Sequence, residues 1–186
     1  MQNLWQRKLK LSYNKDIFDI VQFGSSLFED SNPNDIDIAI IFNKIPIKEQ
    51  LNQAQGIKEQ IVKHINIPVH VSSFDLYSLF DESNFAKEDI IFYGKSLING
   101  NNFAKKFGLN PRIQIFYSLK KLKKSEKIRF HYMLKGKKKD YGLLRAYGGD
   151  LLKPGLIEIN PIYEHVFVEA IKKLTLDYKV KKIYES

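Results

Sequence analysis

The clearest pattern of apolar and polar positions lies between residues 17 and 42. The segment Ile17–Phe23 (IFDIVQF) is rich in β-branched and aromatic residues and runs into Gly24, which predicts a strand closed by a sharp turn. Residues 35–42 (DIDIAIIF) begin as an alternation, with Asp35 and Asp37 on one face and Ile36 and Ile38 on the other. They end in Ala39-Ile40-Ile41-Phe42, the unbroken apolar run of a strand covered on both sides. Between these strands, 25–30 (SSLFED) reads as a short Ser-capped helix and 31–34 (SNPN) as a turn. From 46 to 64 the period becomes helical: Pro46 opens the segment, and Ile47, Leu51, Ala54, Ile57 and Ile61 recur at helix spacing. A third strand is predicted at 67–73 (IPVHVSS), then short helices at 75–82 and 87–93 (KEDIIFY), the latter ending at Gly94. The order predicts a small α/β unit over 1–110 with Asn110-Pro111 as the junction.

Past the junction, 112–122 (RIQIFYSLKKL) reads as a helix, and Ser125-Glu126 as the cap of another running to Leu134-Lys135. Two loops around GLLRA follow, then a strand at 156–159 (LIEI), a helix after Asn160-Pro161, and a final strand at 178–184 (YKVKKIY). This order loosely resembles a winged helix-turn-helix arrangement. The fold class expected is therefore α/β (α+β), a small mixed sheet with helices plus a C-terminal α/β region over 111–186.

Charge sharpens the division. Residues 1–110 carry 12 Lys and Arg against 13 Asp and Glu, whereas 111–186 carry 18 against 8. Ten of those cations lie within 120–139: Lys120, Lys121, Lys123, Lys124, Lys127, Arg129, Lys135, Lys137, Lys138 and Lys139, interleaved with Phe130, His131, Tyr132 and, just beyond, Tyr141. Such a segment suits a polyanion, with cations for phosphates and aromatics for unpaired bases; a solvated helix face over a core of Phe130 and Tyr132 is the competing reading. The absence of cysteine removes thiol catalysis, disulfides and zinc–thiolate sites. No apolar run reaches membrane-span length and the first residues lack a signal-peptide core, so a cytoplasmic protein with no membrane partner is the expectation.

The chemistry is concentrated in FGSSLFEDSNPNDIDIAIIF, residues 23–42. Two carboxylates on one face of an otherwise apolar strand are costly unless the face is solvated or a cation lies between them. Gly24 allows close backbone approach to a ligand, and Ser25 adds a hydroxyl where a helix begins.

Gly24-Ser25, nine intervening residues and Asp35-Ile36-Asp37 between two strands resemble the signature of the nucleotidyltransferase superfamily related to DNA polymerase beta, in its minimal branch. The resemblance covers roughly residues 16–98 and includes EDIIFYGKSLI, similar to that branch's closing helix. It implies transfer of an NMP from an NTP to an acceptor. Asp35 and Asp37 would be the Mg²⁺ (or Mn²⁺) ligands, and Gly24, Ser25 and Ser26 the triphosphate contacts. The reaction calls for two divalent ions about 3.5–4 Å apart, held by carboxylate, phosphate and water oxygens. The third carboxylate of the pattern falls on Pro68-Val69-His70-Val71, so His70 stands in its place, as a metal ligand, as a general base, or as the mark of a site kept for binding alone. Asp75 is the next acid along. Leu27 and Phe28 stand where Arg and Gly are common in the family.

The expected partners are thus an NTP and a nucleic-acid acceptor, RNA or DNA. The alternatives are a catalytically degenerate module that binds nucleic acid, and an antitoxin-like protein that acts on a partner protein.

Overall fold

The computed structural model describes residues 3–7, 9–28, 31–137, 141–174 and 177–186. Lys138 and Lys139 lie outside the described residues. The chain is a mixed α/β protein with two four-stranded sheets, and it divides into two compact units, Met1–Gly108 and Leu109–Ser186.

In the first unit, β1 (Ile17–Phe23) and β2 (Ile36–Phe42) pair antiparallel, and the long helix α1 (Ile47–Val62) leads into β3 (Val69–Asp75), parallel to β2. The two-residue strand β4 (Lys95–Ser96) pairs with the outer side of β1, giving the order β3-β2-β1-β4. Ile20, Ile36, Ile38, Ile40 and Phe42 form one core with Ala54, Ile57 and Ile61 of α1. The buried stripe of α1 begins at Gln50 rather than at Ile47 or Leu51, which are exposed; the Gln50 amide donates to the Ile45 carbonyl at 3.0 Å. Sequence spacing alone had placed Ile47 and Leu51 on the buried face, and the helix enters its packing one turn later than that.

The other face of this sheet is covered too. A π-helical turn, Asp89–Tyr93, buries Ile90, Ile91 and Phe92. A Cβ on Gly94, at its end, would come within 2.1 Å of the Ile90 carbonyl oxygen and 2.6 Å of a Val21 methyl. Glycine lets this turn lie directly on β1. Before it, the short helix α2 (Leu76–Phe80) is held by a capping box between Asp75 and Ser78.

The second unit opens with a strand, not the helix expected at 112–122. In β5 (Asn110–Ser118), Ile113 and Ile115 are fully buried while Arg112, Gln114 and Phe116 point to the other face, a period of two. Pro111 is inside this strand, not at the division between units, which falls at Gly108/Leu109. It lies beyond the stretch that β5 pairs with β7 (Leu156–Ile159), where its missing N–H costs no bond to that neighbour. Helices α3 (Lys124–Lys135) and α4 (Leu143–Tyr147), strand β6 (Asp150–Lys153), helix α5 (Glu164–Lys172) and β8 (Asp177–Glu185) complete an antiparallel sheet of order β6-β7-β5-β8. A strand-first unit with β5 at its centre does not have the helix-first order of a winged helix-turn-helix. The start of α3 is held by Glu126, which accepts from the Lys123 N–H at 2.8 Å; Ser125 is not its cap.

Candidate functional site

Strand register brings the predicted residues together. Asp37 of β2 is flanked by Phe23 of β1 and by His70 of β3. Asp35, two residues earlier, projects to the same side at the mouth of the sheet. His70 Nδ1 lies 3.3 Å from Asp35 Oδ2 and 4.0 Å from Asp37 Oδ1. One ligand atom from each of the three residues falls within 4.8 Å of the others, the one such cluster among the described residues. His70 is two-thirds exposed, while each acid is about one-third exposed (66%, 33% and 31%), so the site is open on the histidine side.

Gly24 closes the other side. Its φ of 73° and ψ of −162° lie in a region open essentially to glycine alone. A Cβ built there would lie 2.5 Å from Asp37 Oδ2. Backbone conformation and contact thus impose the same residue independently, and both fix the main chain against the carboxylate.

The Asp37 carboxyl is pushed above its ordinary value, first by burial and then by the negative charge of Asp35; His70 works in the opposite direction and Asp89 adds to the rise. A cation between the acids would remove that penalty. Two carboxylates and an imidazole nitrogen at this spacing suit a divalent ion that accepts oxygen and nitrogen donors. The residues present therefore fit a metal.

The Gly-Ser segment is a 3₁₀ turn, Ser25–Leu27. Ser25 is exposed, with its carbonyl accepting from the Ser31 hydroxyl at 2.6 Å, whereas Ser26 turns inward. The Ser26 hydroxyl accepts from the Gln22 amide at 3.0 Å, and Gln22 in turn accepts from the Leu4 N–H at 3.0 Å. Ser26 thus ties the loop to the first strand and to the N-terminal segment. Asp75 is elsewhere: it pairs with Phe42, five positions along β3 from His70, and its carboxylate caps α2. Hydrogen bonds from Ser78 hold that carboxyl below its usual value. It does not supply the third acid.

Sequence reasoning missed Asp89. It opens the π-helical turn, and its charge is felt at Asp37. Its segment, EDIIFY, was already distinctive in the sequence, but nothing in the spacing told which of its two acids acts on Asp37.

In the second unit, the cations Lys120, Lys121, Lys123, Lys124, Lys127, Arg129, Lys135 and Lys137 are all exposed. Lys121 is tied to Asp177 at 2.8 Å. Phe130 is buried against Tyr117, with ring centroids 4.9 Å apart, so it belongs to the core and not to a stacking surface. Tyr132 and Tyr141 are exposed; Lys137 lies over the first ring and the Arg145 guanidinium over the second, 4.2 Å from its centroid.

Comparison with protein-family models, with curated proteins and with solved structures gave no match to this chain. Among the described residues, no helix is long and apolar enough to cross a membrane.

Proposed function

We propose that the chain is a metal-dependent nucleotidyltransferase that moves an NMP from an NTP to an acceptor hydroxyl, with nucleic acid as the acceptor. The observation that carries this reading is the convergence of Asp35, Asp37 and His70 beneath a glycine whose backbone lies against Asp37. Asp35 and Asp37 hold Mg²⁺ or Mn²⁺, and Gly24 and Ser25 receive the triphosphate. When bound, the divalent ions neutralise charge on the phosphate oxygens and on the attacking and leaving oxygens.

The acceptor oxygen bonds to the α-phosphorus as the bond to the pyrophosphate oxygen breaks. Pyrophosphate leaves and the hydroxyl proton passes to a base. His70, open to solvent and within 3.3 Å of Asp35, serves as that base or as the third ligand. The rigid strands β2 and β3 hold these groups in place, so positioning and charge compensation do most of the work. An imidazole in place of a carboxylate favours Mn²⁺ over Mg²⁺ relative to an all-oxygen site.

The test is to incubate the protein with each α-labelled NTP, Mg²⁺ or Mn²⁺, and RNA, DNA and protein acceptors. Label transfer should fall by roughly 10³-fold or more in Asp35→Asn combined with Asp37→Asn, the loss expected when several kcal/mol of charge stabilisation disappear. Transfer that survives the double substitution contradicts the assignment.

A second reading, a non-catalytic nucleic-acid-binding module, draws on His70 in place of an acid and on the exposed cations of the second unit. It predicts salt-sensitive binding that is indifferent to the Asp substitutions, with no label transfer.

A further inference from the structure

One face of the second unit's sheet carries its core. Ile113, Ile115, Ile157 and Ile159 turn into the core, where Phe130 of α3 meets Tyr117. The alternate residues stand on the opposite face, where, among the described residues, Phe116, Lys153 and Lys179 are exposed and Leu156 is buried. Register places four of them in one row across all four strands: Lys153 on β6, Leu156 on β7, Phe116 on β5 and Lys179 on β8. The row has an exposed cation at each end and an apolar centre in which Leu156 is buried and Phe116 is exposed. Phe116 is 36% exposed, large for a phenylalanine at the middle of a central strand. Among the described residues neither Lys153 nor Lys179 is held in an ion pair, and Lys181, in the next row, is likewise unpaired. Most acids of this face are engaged: Glu158 accepts from Gln114 at 3.0 Å, Glu185 pairs with Arg112 at 3.2 Å, and Asp177 pairs with Lys121.

We propose that this open face of the β6-β7-β5-β8 sheet binds single-stranded nucleic acid, with a base stacked on Phe116 and backbone phosphates on Lys153 and Lys179. The proposal rests on the nucleotidyltransferase reading only for its purpose, since it identifies the surface that takes the acceptor; the geometry stands by itself. Charge complementarity selects the occupant. A strand of unpaired nucleotides offers flat π-faces between phosphates, matching an aromatic ring between two free cations. A duplex keeps its bases stacked inside and offers no face to Phe116. An acidic peptide would meet the lysines but has no use for the ring. This surface is distinct from the cation-rich α3, which packs on the other side of the same sheet through Phe130.

The experiment measures binding of fluorescein-labelled oligo(dT) and oligo(U) to the full chain by anisotropy over a range of salt. Duplex DNA and poly-glutamate serve as competitors. Phe116→Ala should weaken single-strand binding roughly 5- to 150-fold, the range for loss of one stacked base, while Phe116→Trp retains it. Lys153→Gln combined with Lys179→Gln should lower the salt slope by about 1.4, two single-strand phosphates' worth. Thermal denaturation of each variant separates a lost contact from a lost fold.

The proposal is overturned if folded Phe116→Ala binds as the parent does, or if Phe116→Trp binds as weakly as the alanine variant. It is also overturned if duplex or poly-glutamate competes as well as the single strand. Its failure is distinguishable from failure of the transfer reading: binding that depends on Phe116 without label transfer refutes only the enzyme, and transfer with Phe116-independent binding refutes only this surface.

Discussion

The two units use a four-stranded sheet in opposite ways. In the first, both faces of the adjacent strands β1 and β2 are buried, with almost no exposed side chain until their ends. The polar groups of these two strands are either buried with partners, as Asp19 is against Ser96 and Lys106, or emerge at the mouth, where Asp35, Asp37 and His70 lie beside Gly24. In the second, one face carries the core, and the other, among the described residues, exposes Phe116, Lys153 and Lys179 beside the buried Leu156. The first arrangement makes a small, rigid site of few groups; the second makes a broad surface with many weak contacts. The proposed reaction site and the proposed polymer-binding surface have these respective needs.

Core truncation tests this contrast most strongly. Ile40→Ala, in the doubly covered β2, should cost about 2–5 kcal/mol, whereas Ile183→Ala, on the open face of β8, should cost under about 1 kcal/mol. Equal losses by chemical denaturation would show that the second sheet is not open in solution.

The treatment of lysine differs next. Lys95 is buried over the Trp5 ring, and burial, followed by the charge of Lys105, lowers its pKa to about 8. Because the folded pKa lies below the ordinary 10.5, the unfolded chain binds the proton more readily, and stability from this group rises as pH climbs from about 8 to 10.5. Lys95→Met should stabilise the protein at pH 7 by about 2 kcal/mol and remove that rise. Lys179→Met, on the open sheet, should change stability by no more than about 0.5 kcal/mol. Melting curves against pH for the three proteins check this; a parent whose Lys95-dependent rise runs in the opposite direction contradicts the burial argument.

Gly24→Ala sharpens the site itself. The substitution combines a glycine-only backbone conformation with a collision against Asp37, at a cost of about 1–3 kcal/mol. It should also weaken divalent-cation binding, because the displaced carboxylate is one of the proposed ligands. Calorimetric titration that finds parental affinity in this variant would show that Gly24 does not fix Asp37.

Much of the first unit was legible in the chain because its signals agree at each level. The apolar run of 38–42, the helical period after Pro46 and the turn at Gly24 each had one natural reading. The alternation DID placed both acids on one face, and His70 joined them once β3 paired parallel to β2. Register decided that last step, and no local pattern encodes it. Ser26 and Asp75 looked similar to the neighbouring candidates Ser25 and His70; what separates them is a hydrogen bond to Gln22 in one case and a helix cap in the other. The misreading of 112–122 has a specific cause. RIQIFYSLKKL places Ile113, Phe116 and Leu119 at helical spacing, which masked the two-residue alternation of Ile113, Ile115 and Tyr117. Tertiary pairing with both β7 and β8 settles the conflict in favour of a strand. Once β5 is a strand, Phe116 moves from a helix core to an open face, which no reading of the segment as a helix could have revealed.

The central claim is that Asp35, Asp37 and His70 hold a divalent cation, and its most direct test needs no substrate. Mn²⁺ is titrated into the parent and into Asp35→Asn combined with Asp37→Asn, with the free ion followed by its paramagnetic resonance signal and stability by thermal melting. The parent should deplete the free-ion signal and, at a hundredfold excess over its dissociation constant, gain about 2.7 kcal/mol, or roughly 5–10 °C. The double variant should do neither. Equal depletion and equal stabilisation of the two proteins would contradict the assignment of the metal to these residues.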